Sequence, residues 1–372
     1  MSTIPEVDDL GAALAVMAAP LGRRRLDRAL AEHPTISSVF ESLLEDRDCG
    51  DFLRGCNPTR LERALEHLGG KLVAACDSAY PQLLRQVAHP APFLVVAGDH
   101  SLLEAPMIAM VGTRRATITG RRVAARIGRE IAESGVSVVS GMALGIDAAA
   151  HGGVLDSHGG TSGRPVGVLA CGLDVVYPKA NAGLFGRVLD RGLLISEFGI
   201  GTAPEKWRFP VRNRTIAGIA LGVVVVEAHA TGGALSTAAA GREANREVMV
   251  VPGSVDNPAA EGITALLRDG ATPVASGRDA LMAIAGLDAG STSTESSVPP
   301  GHASSPSLFA EIPLSDVIMD LLGDGAERSA FEIADEAGVS VAVLLDSLQP
   351  LLAAGSIERS GDGSFAMVSS RR

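Results

Sequence analysis

Four stretches of this chain combine Gly, Ser or Thr, Arg and Asn in the way that phosphate binding requires. They are Val111-Gly112-Thr113-Arg114, Ser140-Gly141-Met142-Ala143-Leu144-Gly145-Ile146-Asp147, Phe209-Pro210-Val211-Arg212-Asn213-Arg214 and Thr231-Gly232-Gly233-Ala234-Leu235. Glycines let the backbone approach an anion closely, and a helix that starts behind such a turn offers unpaired N–H groups and the positive end of its dipole. Arg114, Arg115, Arg212 and Arg214 add planar forks that match phosphate oxygens and stay charged at any relevant pH. Several anion-holding loops on one scaffold suit a run of phosphates, which points to a nucleic-acid backbone. Lys206, Trp207, Arg208 and Phe209 interleave cations with aromatics, supplying charge for a backbone and π-faces for unstacked bases. The residues expected to carry this chemistry are Gly112, Arg114, Arg115, Ser140, Gly141, Gly145, Lys206, Phe209, Arg212, Asn213, Arg214, Gly232 and Gly233.

Bond-breaking chemistry is harder to assemble. Asp147, Glu197 and Glu227 fall near expected strand ends, but no His, Cys or second acid stands at diagnostic spacing, and His151 reads as a helix residue. No Gly-Lys-Ser/Thr is present, so there is no Walker A loop, and the first strand is not followed by GxGxxG. The four cysteines (Cys49, Cys56, Cys76, Cys171) are scattered without CxxC or metal-ligand spacing and read as reduced packing thiols.

The elements that must position these loops follow an α/β rhythm from Met107 to Leu281. Apolar strand-like runs at Met107–Val111, Val136–Val139, Val166–Ala170, Leu193–Ile195, Leu221–Val226 and Val248–Val251 alternate with helix-compatible stretches such as Arg121–Ser134 and Thr237–Ala244. Continuous apolar strands between helices imply a parallel sheet covered on both faces. Ligands of such sheets sit at the carboxyl ends of the strands, where every loop named above falls. Upstream, Leu10–Ala18, Gly22–Ala31 and Pro58–Leu68 read as helices, followed by a Pro-rich connector and the apolar run Phe93–Ala97. Downstream, residues 288–307 are Ser-, Thr- and Pro-rich and read as a linker. Leu314–Leu322, Ala330–Ala337 and Val341–Ala354 then read as helices, and Ser356–Glu358, a Gly-Asp-Gly turn and Phe365–Val368 as a β-wing. The expected domains are therefore 1–75, helical; 76–285, α/β; 286–310, linker; and 311–372, winged helix.

Charge sorts these segments. The chain carries a net charge of −11, but Met107–Leu281 holds 18 Lys/Arg against 15 Asp/Glu, leaving 14 against 28 for the flanks. Only the middle segment is suited to a polyanion. The acidic start MSTIPEVDDL has neither a basic n-region nor an apolar h-region, and Leu221–Val226 is far shorter than a membrane span, so a soluble, cytoplasmic protein is expected.

The middle segment resembles the bacterial DNA-processing protein DprA (Smf) family, from about Tyr80-Pro81 to Leu281. Besides the four loops, the resemblance rests on Gly172-Leu173-Asp174-Val175-Val176-Tyr177-Pro178-Lys179-Ala180-Asn181, Ile195-Ser196-Glu197, Val226-Glu227-Ala228 and Val251-Pro252-Gly253-Ser254, all in order. It implies an extended Rossmann-like core, an N-terminal SAM-like helical domain and a C-terminal winged helix. It also implies single-stranded DNA in the pocket, a homodimer that contacts RecA recombinase and loads it during transformation, no cofactor and no catalytic turnover. On this likeness Arg114 holds phosphate, Ser140 and Gly141 form a backbone cradle, and Lys206, Phe209, Arg212 and Asn213 line the groove. Gly232 and Gly233 bring the last loop close, and Lys179 joins the DNA-binding set. The chain departs from the family, which usually carries Tyr at Thr119, Arg at Leu144, Ser at Gly232 and Asn at Thr264. Losing a cation at Leu144 either lowers affinity or is met by Arg115. A rival reading notes that Thr231-Gly232-Gly233-Ala234-Leu235-Ser236-Thr237 resembles the Gly-Gly-x-Gly-Thr loop of Rossmann-like nucleoside-monophosphate phosphoribohydrolases. Those enzymes place a catalytic Glu directly after the Thr, where this chain has Ala238 and Ala239.

Overall fold

A computed structural model of the chain describes residues 8–157 and 163–284, with scattered positions beyond these, chiefly 356–360 and 365–367. Two compact units emerge, Met1–Ser293 and Thr294–Arg372.

The first unit opens with five helices: α1 (Leu10–Ala18), α2 (Arg23–Glu32), α3 (Ile36–Leu44), α4 (Gly50–Gly55) and α5 (Pro58–His67). Asp9 caps α1 by accepting from the Ala12 N–H at 2.8 Å, and α1 is buried from Gly11 to Ala18. Asn57 caps α5, whose first residue is Pro58, a position that needs no N–H. Sequence periodicity does not anticipate α3. It begins at a reciprocal Thr35–Ser38 cap, with Ser in place of the Glu or Gln that usually signals such a start.

The sheet that follows has nine strands in the order β1-β2-β6-β5-β4-β3-β7-β8-β9. These are β1 (Gly70–Ala74), β2 (Phe93–Gly98), β3 (Met107–Val111), β4 (Ser137–Ser140), β5 (Pro165–Leu169), β6 (Leu193–Ser196), β7 (Gly222–Val225), β8 (Glu247–Val250) and β9 (Thr272–Pro273). From β6 to β9 every pair is parallel, whereas β1–β2 and β2–β6 are antiparallel. Since β1 already lies in the sheet, the α/β part begins upstream of residue 76. The short Gly-Lys-Leu-Val-Ala strand carries too weak a signal to be read alone.

The connecting helices are α6 (Gln82–Arg85), α7 (Ile118–Glu133), α8 (Ile146–Leu155), α9 (Ala182–Arg191), α10 (Arg208–Ile219), α11 (Gly233–Glu243), α12 (Glu261–Arg268) and α13 (Gly277–Ile284). Strand β3 is buried along its whole length, and its side chains divide between two cores. Ile108 and Met110 pack with α7 and α8 through Ala124, Ile127 and Ala150. Met107, Ala109 and Val111 pack with α10 and α11 through Ile216, Ala217 and Ala238. This alternation is what burial on both faces requires of a parallel strand. A third core joins α1, α3 and α5 to Phe93, Val95 and Leu169, so the N-terminal helices share apolar packing with the sheet.

Chain order reverses at the centre of the sheet. The α7 connection leads from β3 to β4 on one side, while β7 lies on the other side of β3 and leads on to β8. The loops after β3 and β7 therefore part over a crevice, the topological switch point where α/β sheets bind ligands.

In the second unit, β10 (Ile357–Arg359) pairs antiparallel with β11 (Phe365–Met367). This is the hairpin expected of the wing. The helices expected of the winged domain lie largely, and the 286–310 linker wholly, outside the described residues.

Candidate nucleic-acid interface

The loop after β3 is seated by its neighbours. The Thr113 N–H donates to the Glu227 carbonyl at 2.8 Å and the Ile146 N–H to the Thr113 carbonyl at 3.3 Å. Gly145 precedes α8 with φ +80°, and a Cβ there would lie 2.4 Å from the Thr113 oxygen and 2.8 Å from that of Arg114. Only glycine accepts that backbone and that approach. Gly112 likewise packs against Ile146. These two glycines hold the loops together, and Arg114 is left projecting.

Ser140, Gly141 and Arg212 are tied into a buried hydrogen-bond network at the back of the site. Ser140 is buried, its hydroxyl donating to the Met110 carbonyl at 2.6 Å. The Gly141 N–H donates to Asp147 Oδ2 at 3.0 Å, and its carbonyl accepts from Arg212 Nη1. Arg212 is only 5% exposed. It also donates from Nη1 to the Val168 carbonyl at 2.9 Å and from Nε to Asn213 Oδ1 at 3.1 Å. Ser140 and Gly141 therefore form no open cradle, and the Arg212 guanidinium ties together the ends of β4 and β5. Asp147 and Arg212 are both buried and act on each other electrostatically. Burial pushes the Asp147 carboxyl up and the Arg212 guanidinium down, and each group's charge opposes the shift of the other.

The exposed chemistry gathers around Phe209. The Arg114 guanidinium carbon lies 5.0 Å from the ring centroid and that of Arg212 5.8 Å. Tyr177 stands 5.8 Å away, tilted by 59°. On one side of this cluster a cleft of about 350 Å³ occupies the switch point. Gly112, Thr113, Arg114, Phe209, Arg212, Asn213, Gly232 and Gly233 line it. Here α11 begins with Gly232 exposed and no side-chain cap, so its first N–H groups face the cleft. Asn213 sets that helix start by donating from Nδ2 to the Gly233 carbonyl at 3.2 Å. On the other side is a smaller hollow of about 90 Å³, lined by Leu144, Cys171, Tyr177, Pro178, Phe209 and Arg212 among others.

Other expected residues lie apart. Arg115 is exposed, its N–H turned back to Thr113 Oγ1 at 3.2 Å, and it lines neither cavity. Lys179 and Lys206 are exposed and line neither cavity. Arg214 faces the opposite side of α10, in a separate cleft with Arg23, Arg24 and Glu197. Two residues apart on a helix point roughly oppositely, so Arg212 and Arg214 cannot share one groove.

Tyr177 and Leu144 are site residues that sequence reasoning did not single out as contacts. In a chain with 3% aromatics, a Tyr within a matched stretch was the available signal. Of the departures from the family pattern, Leu144 is 41% exposed at the lip of the smaller hollow. Gly232 stands at the start of α11, Thr119 is exposed on α7, and Thr264 donates to the Ala260 carbonyl at 3.0 Å.

The acids once weighed for catalysis are engaged elsewhere. Glu227 accepts from the Thr117 N–H at 3.0 Å and its hydroxyl at 2.6 Å, at the start of α7. Glu197 accepts from Thr215. His151 is fully buried, with Nε2 3.2 Å from the Val166 carbonyl. Among the described residues no group of three or more His, Cys, Asp or Glu could hold a metal, and no helix is long and apolar enough to cross a membrane.

Comparison with known proteins converges on one family. The family model described as DNA recombination-mediator protein A matches residues 71–285. Protein Smf of Synechocystis is 36% identical over 249 residues, which are 66% of this chain and 62% of that protein, so the chain spans less than two thirds of that relative's length. DNA processing protein DprA of Bacillus subtilis is 36% identical over 59% of this chain and 73% of its own length. The X-ray structure of Streptococcus pneumoniae DprA superposes with a TM-score of 0.58 at 30% identity, covering 74% of this chain and 98% of that one. DNA processing protein A of Helicobacter pylori, described for its single-stranded DNA binding mode, gives 0.53 at 25% identity, covering 59% and 97%. A family model spanning more than half the chain, together with this shared fold, places the protein in the DNA recombination-mediator protein A family, the DprA (Smf) proteins.

Proposed function

We propose that the cleft at the switch point grips an unpaired DNA strand without breaking it, and that the protein delivers the strand to RecA recombinase during transformation. The observation that carries this reading is the Arg114–Phe209 stack beside the open start of α11. It sets a cation for phosphate, a ring for an unstacked base and a row of N–H donors within one cleft. The Helicobacter pylori relative's single-strand binding mode supports the same assignment here. Arg212 acts from behind by holding the loops, and exposed Lys179 and Lys206 add positive charge. Arg115 reaches only phosphates outside the cleft. Turnover is not part of the proposal, because the position that carries the catalytic Glu in the hydrolases holds Ala238.

Fluorescence anisotropy with one labelled oligonucleotide, single-stranded and as duplex, at ~50 and ~200 mM salt tests the core of the proposal. Single strands should bind more tightly, and binding should weaken steeply with salt. Equal affinity for duplex discards it. The delivery step predicts that RecA coats a single strand faster when this protein is present. The family resemblance also supports a homodimer, which sedimentation would register as twice the chain mass of 38.1 kDa.

A further inference from the structure

Helix α10 stands between two clefts, and only one of them belongs to the proposed grip. Behind it lies a cleft of about 300 Å³ lined by Arg23, Arg24, Asp27, His89, Glu197 and Arg214, among others. Its three arginines outnumber its two acids, both of which lie near Arg23. Asp27 lies 2.7 Å from Arg23 Nε, and Glu197 lies 3.6 Å from Arg23 Nη1 and accepts from Thr215. Arg23 also donates to the Pro90 carbonyl. Arg24 and Arg214 are both exposed, Arg214 close enough to act on Glu197, and exposed Arg28 stands one turn along α2 from Arg24.

Beside the second cleft, at the start of α10, lies a further groove. Lined by Phe198, Trp207 and Arg208, it shares Arg23, Glu197 and Val211 with that cleft. Trp207 is 45% exposed, two residues from Phe209. Arg208 lies 4.8 Å from its ring and Phe198 meets it edge-on at 5.9 Å. Its N–H donates to Glu205 at 2.7 Å, an acid also paired with Arg208 at 3.2 Å. The indole is thus held in place while much of it stays open to solvent.

We propose that a bound single strand continues beyond the rim cleft, over Trp207, and into the cleft between α2 and α10, where Arg24 and Arg214 meet its next phosphates. This rests on the single-strand reading above and adds a second contact zone to it. It gives the N-terminal helices a share in binding. A polynucleotide is favoured over an acidic protein because the exposed indole of Trp207 accompanies the cations, which suits a base as well as a phosphate. A strand must cross about 10 Å of helix to use both zones, so a short oligonucleotide cannot.

The full chain carries one Trp, so its intrinsic fluorescence reports on Trp207 alone. Oligonucleotides of about 5 and about 16 nucleotides are compared. The longer should change the Trp207 emission and the shorter should not. The double variant Arg24→Glu/Arg214→Glu should lose that change and bind the longer strand about tenfold more weakly. Its salt slope should fall by about 1.4, with affinity for the shorter strand unaltered. Arg114→Ala should weaken both. If the double variant binds and reports like the wild type while Arg114→Ala weakens both, the second zone is refuted and the rim grip stands. Equal weakening of both lengths by the double variant also overturns it, as does a Trp207 response to polyglutamate but not to the longer strand. If neither length binds the wild type, the underlying reading fails with it.

Discussion

Arg212 Nη1 donates to the Gly141 carbonyl across the space that a Gly141 side chain would fill: a Cβ there would sit 2.0 Å from that nitrogen. The glycine that resembles a phosphate cradle instead admits the protein's own cation. Gly141→Ala should therefore displace a buried guanidinium and destabilise the fold by about 1–3 kcal/mol. Urea unfolding measures this, and wild-type stability in the variant would remove Arg212 from its role as a clamp.

Arg212→Ala should be costlier, because it leaves the Gly141 and Val168 carbonyls without their donor. Each buried polar group left unpaired typically costs about 1–3 kcal/mol. The variant should melt early in thermal unfolding. Arg212→Lys should recover part of the loss, since it keeps the charge without the fork.

Arg114→Ala is the cleaner probe of binding, since the side chain is exposed and its stacking partner remains. Thermal stability should be unchanged, single-strand affinity should fall about tenfold, and the log–log salt slope should drop by about 0.7. Phe209→Ala should lose about 1–3 kcal/mol of binding for a stacked base with an unchanged salt slope. Anisotropy titrations at several salt concentrations separate the two effects.

His151 predicts a pH dependence. Burial holds its imidazole down at about 4 from the ordinary 6.5, so the unfolded chain takes up a proton there before the folded one does. Stability should fall as pH drops from about 6.5 toward 4, by up to ~3 kcal/mol. The raised carboxyls of Asp147 and Glu197 act in the opposite sense, contributing stability at low pH that is lost as pH rises. The difference between wild type and His151→Gln in denaturant melts at pH 7 and pH 5 isolates the histidine. An identical pH dependence in the two proteins would refute it.

Deleting residues 308–372 should leave single-strand affinity nearly intact. From Met282 onward the chain holds 4 Arg and no Lys against 13 Asp/Glu, a composition that repels phosphate. A large loss of affinity in the truncated protein would give the tail a binding role that its charge does not explain.

The central parallel strands and the loops at their carboxyl ends could be read from the chain alone, because apolar runs such as Met107–Val111 and Leu221–Val226 call for burial on both faces, whereas the order of the strands in the sheet could not. Glycine and arginine positions in those loops were equally legible. Which of them face a ligand was not. Arg212 and Arg214 look alike in sequence, and only the turn of α10 and the carbonyls of Gly141 and Val168 made one a buried clamp and the other part of a second cleft. Ser140 and Arg114 were likewise indistinguishable until packing buried one and left the other stacked on Phe209. Residue type sets what a group can bind. Which polar groups the fold has already satisfied is a long-range property, and it decides what remains for a partner.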